Sequence, residues 1–141
     1  MKTQLNIVLG NSEDVINEAL SERIEKAVEE KYRLNVTSFF YLEDIEDYAR
    51  RYPIDLFVIV VNNVTLRQEN PSDDRIEKVL EFIREFKDSY NRPVIALYGW
   101  PDDPHFSDKI KQAGANFCFK MPCKLEDFEK TVRVCLRVAS Y

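Results

Sequence analysis

A serine on the turn Gly10-Asn11-Ser12, an asparagine pair at Asn62-Asn63 and one histidine, His105, are the side chains of this 141-residue chain best suited to nucleophilic chemistry. A serine nucleophile needs a base within hydrogen-bond reach, and the base needs a third group to orient it. His105 is the only histidine, and no Asp-x-x-His block follows it. Ser12 also stands where a helix cap or first-turn residue belongs. The three cysteines are Cys118, Cys123 and Cys135. Cys118 and Cys123 straddle Pro122 at a separation that is not zinc spacing, and one histidine leaves few further ligands. The odd count reads as free thiols used as small apolar residues, so no metal is expected. Phosphate-cradling loops need clustered glycines whose amides approach the ligand. The chain has only Gly10, Gly99 and Gly114, far apart, with no GxGxxG or Walker pattern.

The surrounding chain is that of one globular domain spanning residues 1–141. Apolar residues make up 45% and charged residues 32%, a mixture that supports a packed core and argues against disorder. The net charge of -5 disfavours nucleic acid as a partner. The longest apolar run is Leu56–Val61, well below the roughly 20 residues that span a bilayer. The N-terminal apolar run turns polar at Asn11, too early for a signal peptide, so a cytoplasmic protein without membrane contact is expected.

The elements that must position these residues alternate between strand and helix. Leu5–Leu9, Leu34–Ser38, Asp55–Val61, Pro93–Tyr98 and Ala115–Phe119 read as strands. Asp55–Val61, continuous in β-branched and aromatic residues, reads as the central one. The first helix carries an apolar stripe of Val15, Ile16, Ala19, Leu20, Ile24, Ala27 and Val28 behind an Asn11 cap. A second helix covers about Glu43–Arg51, a third follows a Ser72 or Asp73 cap, a fourth covers Phe106–Ala113 and ends at Gly114, and a fifth runs from Leu125 to Val138. Five strands alternating with five helices predict an α/β fold: a doubly wound five-stranded parallel sheet between two helix layers. Ligands of such sheets bind where the strands end and their order reverses. That rim is Leu9–Ser12, Val60–Val64, Tyr98–Trp100 and Lys120–Cys123.

Here the chain resembles a known family. AGANFCFKMPCKLEDFEKTV (Ala113–Val132) is similar to the fifth strand and last helix of response-regulator receiver domains. PIDLFVIV (Pro53–Val60) resembles their third strand and RPVIALYG (Arg92–Gly99) their fourth. The resemblance covers nearly the whole chain and implies a CheY-like, flavodoxin-like sheet of order 2-1-3-4-5. It also implies a site: an acidic pair for magnesium, a phosphoacceptor aspartate, a Thr/Ser and a Lys. Carried over residue by residue, these fall on Leu9 and Gly10, Val60, Tyr98 and Met121. None has the required chemistry. Leu and Gly offer magnesium no side-chain oxygen, Val no nucleophile, and Met no charge. Lys120 alternates to the other strand face, and Glu13 and Asp14 come a turn too late. The resemblance therefore implies a degenerate pseudo-receiver with no cofactor and no enzymatic activity. It implies a protein–protein interaction module of two-component signal transduction that works without phosphorylation.

Its partner is expected to be a signalling protein or a second copy of the chain. Tyr98, Trp100, Pro101, His105, Phe106, Met121 and Pro122 form the candidate interaction surface, aromatic and sulfur-rich as interface cores are. Tyr98 is expected to fill the vacant switch pocket. Two alternatives come from other classes. NIVLGNSE (Asn6–Glu13) faintly resembles the nucleophile turn of SGNH hydrolases, which makes Ser12 a nucleophile and Val61–Asn63 its companion turn. A nucleotide- or flavin-binding flavodoxin-like domain is the other. The polar loop Asn62–Pro71, on the same rim, is expected to cover the vestigial pocket, meet a partner or be a solvated insertion.

Overall fold

The computed structural model describes residues 3–28, 32–67, 75–100 and 103–136. β1 (Thr3–Gly10), β2 (Tyr32–Phe39), β3 (Leu56–Val60), β4 (Val94–Tyr98) and β5 (Phe117–Lys120) form one sheet of order β2-β1-β3-β4-β5. Every neighbouring pair runs parallel. Between them lie α1 (Asp14–Val28), α2 (Leu42–Arg51), α3 (Arg75–Tyr90) and α4 (Pro104–Ala113), and α5 (Leu125–Leu136) follows β5. The expected fold class and strand order are observed.

Parallel strands need crossovers, and the crossovers cover both faces of the sheet, so the central strands carry apolar residues on both sides. All five residues of β3 and all five of β4 are buried. Their alternation splits the core in two. Phe57, Ile59, Val94, Ala96 and Tyr98 face α2, α3 and α4 through Ile45, Ile83, Phe86, Phe106 and Ile110. Leu56, Val58, Val60, Ile95 and Leu97 face α1 and α5 through Leu20, Ile24, Phe128 and Val132.

Three local readings change. Val15 is 81% exposed and Ala19 is also exposed, whereas Asn17, three residues before Leu20, is buried. The α1 stripe therefore begins later than its apolar pattern suggests, because Asn17 turns inward to donate to the carbonyl of Asn11. Leu125, whose apolar side chain at i, i+3 with Phe128 reads as part of the inner face of α5, is 37% exposed. Helix α4 starts two residues earlier than expected, since Pro104 needs no N–H partner at a helix start and the Asp103 side chain accepts from the His105 N–H. The expected cap Ser72 or Asp73 and the last residues of the fifth helix lie outside the described residues.

Candidate functional site

The C-terminal rim of the sheet is held together mainly by uncharged side chains. At the end of β1, the N–H of Asn11 donates to the carbonyl of Phe39 at 3.0 Å. Asn11 is fully buried, and its amide both accepts from and donates to the backbone of Glu13, which sets the entry to α1. Ser12 ties the β1–α1 loop to the β3–α3 loop: its hydroxyl and its N–H both donate to the carbonyl of Asn63.

Asn62 makes the next link. Its side-chain oxygen accepts from the N–H of Gly99 at 2.6 Å and of Trp100 at 3.3 Å, and its nitrogen donates to the Trp100 carbonyl at 2.7 Å. Arg75 donates to the Asn62 carbonyl. Buried polar groups cost free energy unless they are paired, and Asn62 is buried with each side-chain polar atom engaged. The rim from β1 through β3 to β4 is thus a chain of Ser12–Asn63 and Asn62–Gly99/Trp100 contacts.

The loop expected over Asn62–Pro71 turns back toward β2 in its described part. Thr65 bridges to Tyr41, and its hydroxyl donates to the Phe40 carbonyl. Arg67 donates to Asp44 at 2.8 Å, its N–H donates to Glu43, and its guanidinium lies 4.4 Å from the centre of the Tyr41 ring. The Asp44 carboxylate raises the Arg67 pKa. These contacts lay the loop against the start of α2, so its described part is not a free solvated insertion. Residues 68–71 lie outside the described residues.

The five positions carried over from the resemblance divide between the two halves of the core. Leu9 and Val60 are buried in the α1/α5 half of the core, with Met121 packed against it. Tyr98 belongs to the opposite half, where its ring meets Phe106 edge to face at 5.1 Å. Tyr98 is therefore buried and fixed as expected of a plug, but it fills the α4 side and not the neighbourhood of Val60. Gly10 is buried too, and a side chain there would meet Ile45 Cδ1 at 3.0 Å, Ile59 Cγ1 at 3.4 Å and Phe57 Cε1 at 3.5 Å. A carboxylate at that position would be pressed into hydrocarbon. The residues present do not fit a magnesium ion at this place, and no step through one is derived. Among the described residues no group of three or more His, Cys, Asp or Glu side chains is placed to hold a metal.

The candidate interaction surface divides. Trp100, His105 and Pro122 are exposed and Met121 is half-buried, whereas Tyr98 and Phe106 are core residues and cannot offer their rings to a partner. Pro101 lies outside the described residues. The correction is physical: Tyr98 and Phe106 satisfy each other as an aromatic pair under α4. Ser12 is not held by a base, since its hydroxyl donates to a carbonyl. The cysteines are half-buried free thiols, all made harder to ionise by burial, with Cys135 pushed up to about 11.

Sequence reasoning missed the clasp of Asn11, Ser12, Asn62 and Asn63. A signal was available. Two asparagines directly after a wholly apolar strand, facing a Gly-Asn-Ser turn, put hydrogen-bonding side chains where two loops must meet.

The backbone arrangement has close counterparts. A response regulator from Thermotoga maritima superposes with a TM-score of 0.75 over 95% of this chain and 98% of its own, at 18% identity. The fold is that of a response-regulator receiver domain. An orphan response regulator of H. pylori shares the receiver fold with a TM-score of 0.67 and 16% identity, over 97% of this chain and 100% of its own. The beryllofluoride-activated NtrC4 receiver domain dimer matches with a TM-score of 0.70 and 20% identity, over 94% and 96% of the two chains. No family model matches the sequence, and no curated protein does. The likeness to receivers is therefore one of fold, carried by the strand order and helix placement. Among the described residues no helix is long and apolar enough to cross a membrane.

Proposed function

We propose that this chain is a phosphorylation-independent receiver-like module that acts in signal transduction of the two-component type by binding another protein. The observation that carries the reading is the packing around Gly10 and Val60. Both are buried in hydrocarbon, and the space a carboxylate would need beside Gly10 holds Ile45, Ile59 and Phe57. Phosphoryl transfer depends on positioned charge and metal ions, and the degenerate positions Leu9, Gly10, Val60, Tyr98 and Met121 supply neither. Signalling then passes through binding and not through a covalent change.

The exposed remainder of the candidate surface, Trp100, His105 and Pro122 with the edge of Met121, is the contact region for that partner. Trp is favoured at interface centres, and a half-exposed one beside a helix start suits such a role. The H. pylori neighbour, described as an orphan regulator, and the NtrC4 receiver, described as a dimer, are precedents for the fold in such settings. Cytoplasmic residence and the absence of a nucleic-acid contact belong to the same reading. The hydrolase reading loses its support with Ser12 committed to Asn63, and no observation favours a bound nucleotide or flavin.

The test is incubation with acetyl phosphate and magnesium followed by intact-mass measurement. The expected spectrum is unchanged. A gain of one phosphoryl group that maps to a carboxylate at the rim would overturn the proposal.

A further inference from the structure

The two edges of the sheet are built differently. β5 is four residues long, ends on Lys120 and is followed closely by Pro122. Short length, lysine and proline are ordinary ways of blocking a sheet edge. Within its span β2 has none of them, with Lys31 preceding it in the sequence. It is eight residues long, YRLNVTSF, with Arg33 its single charged residue and no proline or lysine. Its register with β1 runs unbroken from Thr3↔Tyr32 to Gly10↔Phe39, so no bulge twists it out of line. Among the described strands it pairs with β1 alone. A long, regular and nearly uncharged edge leaves a row of backbone donors and acceptors that a further strand can meet.

Beside that edge runs a groove of about 570 Å³, lined by Glu22, Glu25 and Lys26 of α1 and by Tyr32 and Leu34 of β2. Its floor is apolar and its wall carries both signs of charge. An edge that pairs with itself does so about a two-fold axis, and that symmetry makes the strands antiparallel. It also sets the α1 wall of one copy beside the α1 wall of the other, running in opposite directions. Each wall holds two carboxylates and one ammonium, and the antiparallel arrangement lets Lys26 of one copy meet Glu22 or Glu25 of the other. We propose that β2 pairs with β2 of a second copy, joining two sheets into one, with Lys26 set against Glu22 and Glu25 across the axis. This surface is separate from the Trp100 region, so the inference does not depend on the function proposed above.

Sedimentation equilibrium of the chain over a wide concentration range reads the association. Hydrogen exchange locates it, with the amides of Tyr32–Phe39 expected to gain protection as concentration rises. Glu22, Glu25 and Lys26 are exposed, so charge variants leave the core intact. Lys26→Glu is expected to weaken self-association about tenfold or more through facing like charges, and so is Glu22→Lys with Glu25→Lys. Mixing those two variants is expected to restore a dimer, now made of one chain of each kind. A chain that stays monomeric at high concentration overturns the proposal. So does a dimer that neither charge variant weakens, or one whose exchange protection falls outside β2.

Discussion

Asn62 grips the backbone of Trp100 on both sides of its α-carbon, donating to its carbonyl at 2.7 Å and accepting from its N–H at 3.3 Å. The same oxygen takes the Gly99 N–H, so one side chain fixes the start of the β4–α4 loop. Replacing Asn62 by Ala leaves that N–H, the Trp100 N–H and the Trp100 carbonyl without this partner. A fully buried group left unpaired costs about 1–3 kcal/mol, and these are part-buried at the exposed residues Gly99 and Trp100, so a loss of about 1–2 kcal/mol is expected. Trp100 is the single tryptophan. Its fluorescence reports the loop directly, and a shift in emission maximum ahead of global melting is the expected signature.

The crowding at Gly10 is testable without any phosphate chemistry. A methyl group placed there meets Ile45 Cδ1 at 3.0 Å, which is too close to accept without movement. Gly10→Ala is expected to cost about 1–3 kcal/mol through overpacking. Ile45→Val removes the clashing methyl and should recover part of that cost in the double variant. Denaturant midpoints of the four chains give the coupling, and strict additivity would show that Ile45 does not set the limit.

A carboxylate placed at Val60, where the resemblance puts a phosphoacceptor, should damage the fold more than it helps the chemistry. Val60 is 1% exposed and surrounded by hydrocarbon. Val60→Asp buries a charge without a partner and is expected to cost more than about 3 kcal/mol at neutral pH. Desolvation raises the folded-state pKa of that Asp above its unfolded value. The variant is then hurt least below the unfolded pKa, and the penalty grows as pH rises through the window between the two values. Urea melts at about pH 4 and pH 7 measure it. A variant more stable at the higher pH would contradict the hydrocarbon environment.

Cys135 gives a second pH signature. Burial lifts its thiol from 9.0 to about 11. Between those values the unfolded chain has lost the thiol proton and the folded chain still holds it, so stability falls as pH climbs through that range. The fall should be smaller in Cys135→Ser than in the parent chain. At pH near 8, alkylation of the native protein by iodoacetamide should be slow at all three cysteines and fast after denaturation.

The sheet was legible because a parallel strand buried on both faces has little choice of residues. LFVIV at 56–60 and VIALY at 94–98 announce themselves by composition, and the intervening amphipathic segments then have only one architecture to serve. The proposed degeneracy of the phosphoryl site is an argument from side-chain chemistry alone: Val60 carries no nucleophile and Met121 no charge. What the pattern did not reveal is which face each rim side chain takes. Tyr98 reads as part of the interaction surface as well as the filler of a pocket, yet Phe106 from α4 closes over it. Val15 looked like core because it is apolar and in phase, yet α1 rolls so that Asn17 reaches Asn11. In both cases a single pairwise contact, formed across distant or polar residues, decided the orientation. Periodicity averages over a helix or strand and does not see such contacts.

The fastening of the rim by asparagine and serine carries a consequence for the conditions under which it keeps its shape. Amide and hydroxyl groups do not titrate near neutrality, and their hydrogen bonds are not dissolved by counterions as exposed ion pairs are. Acidification or a rise in ionic strength that would reshape a cluster of carboxylates leaves Ser12–Asn63 and Asn62–Trp100 as they were. A partner of the proposed kind, docking beside Trp100, would meet these two links in the same arrangement in a salty cell and a dilute one.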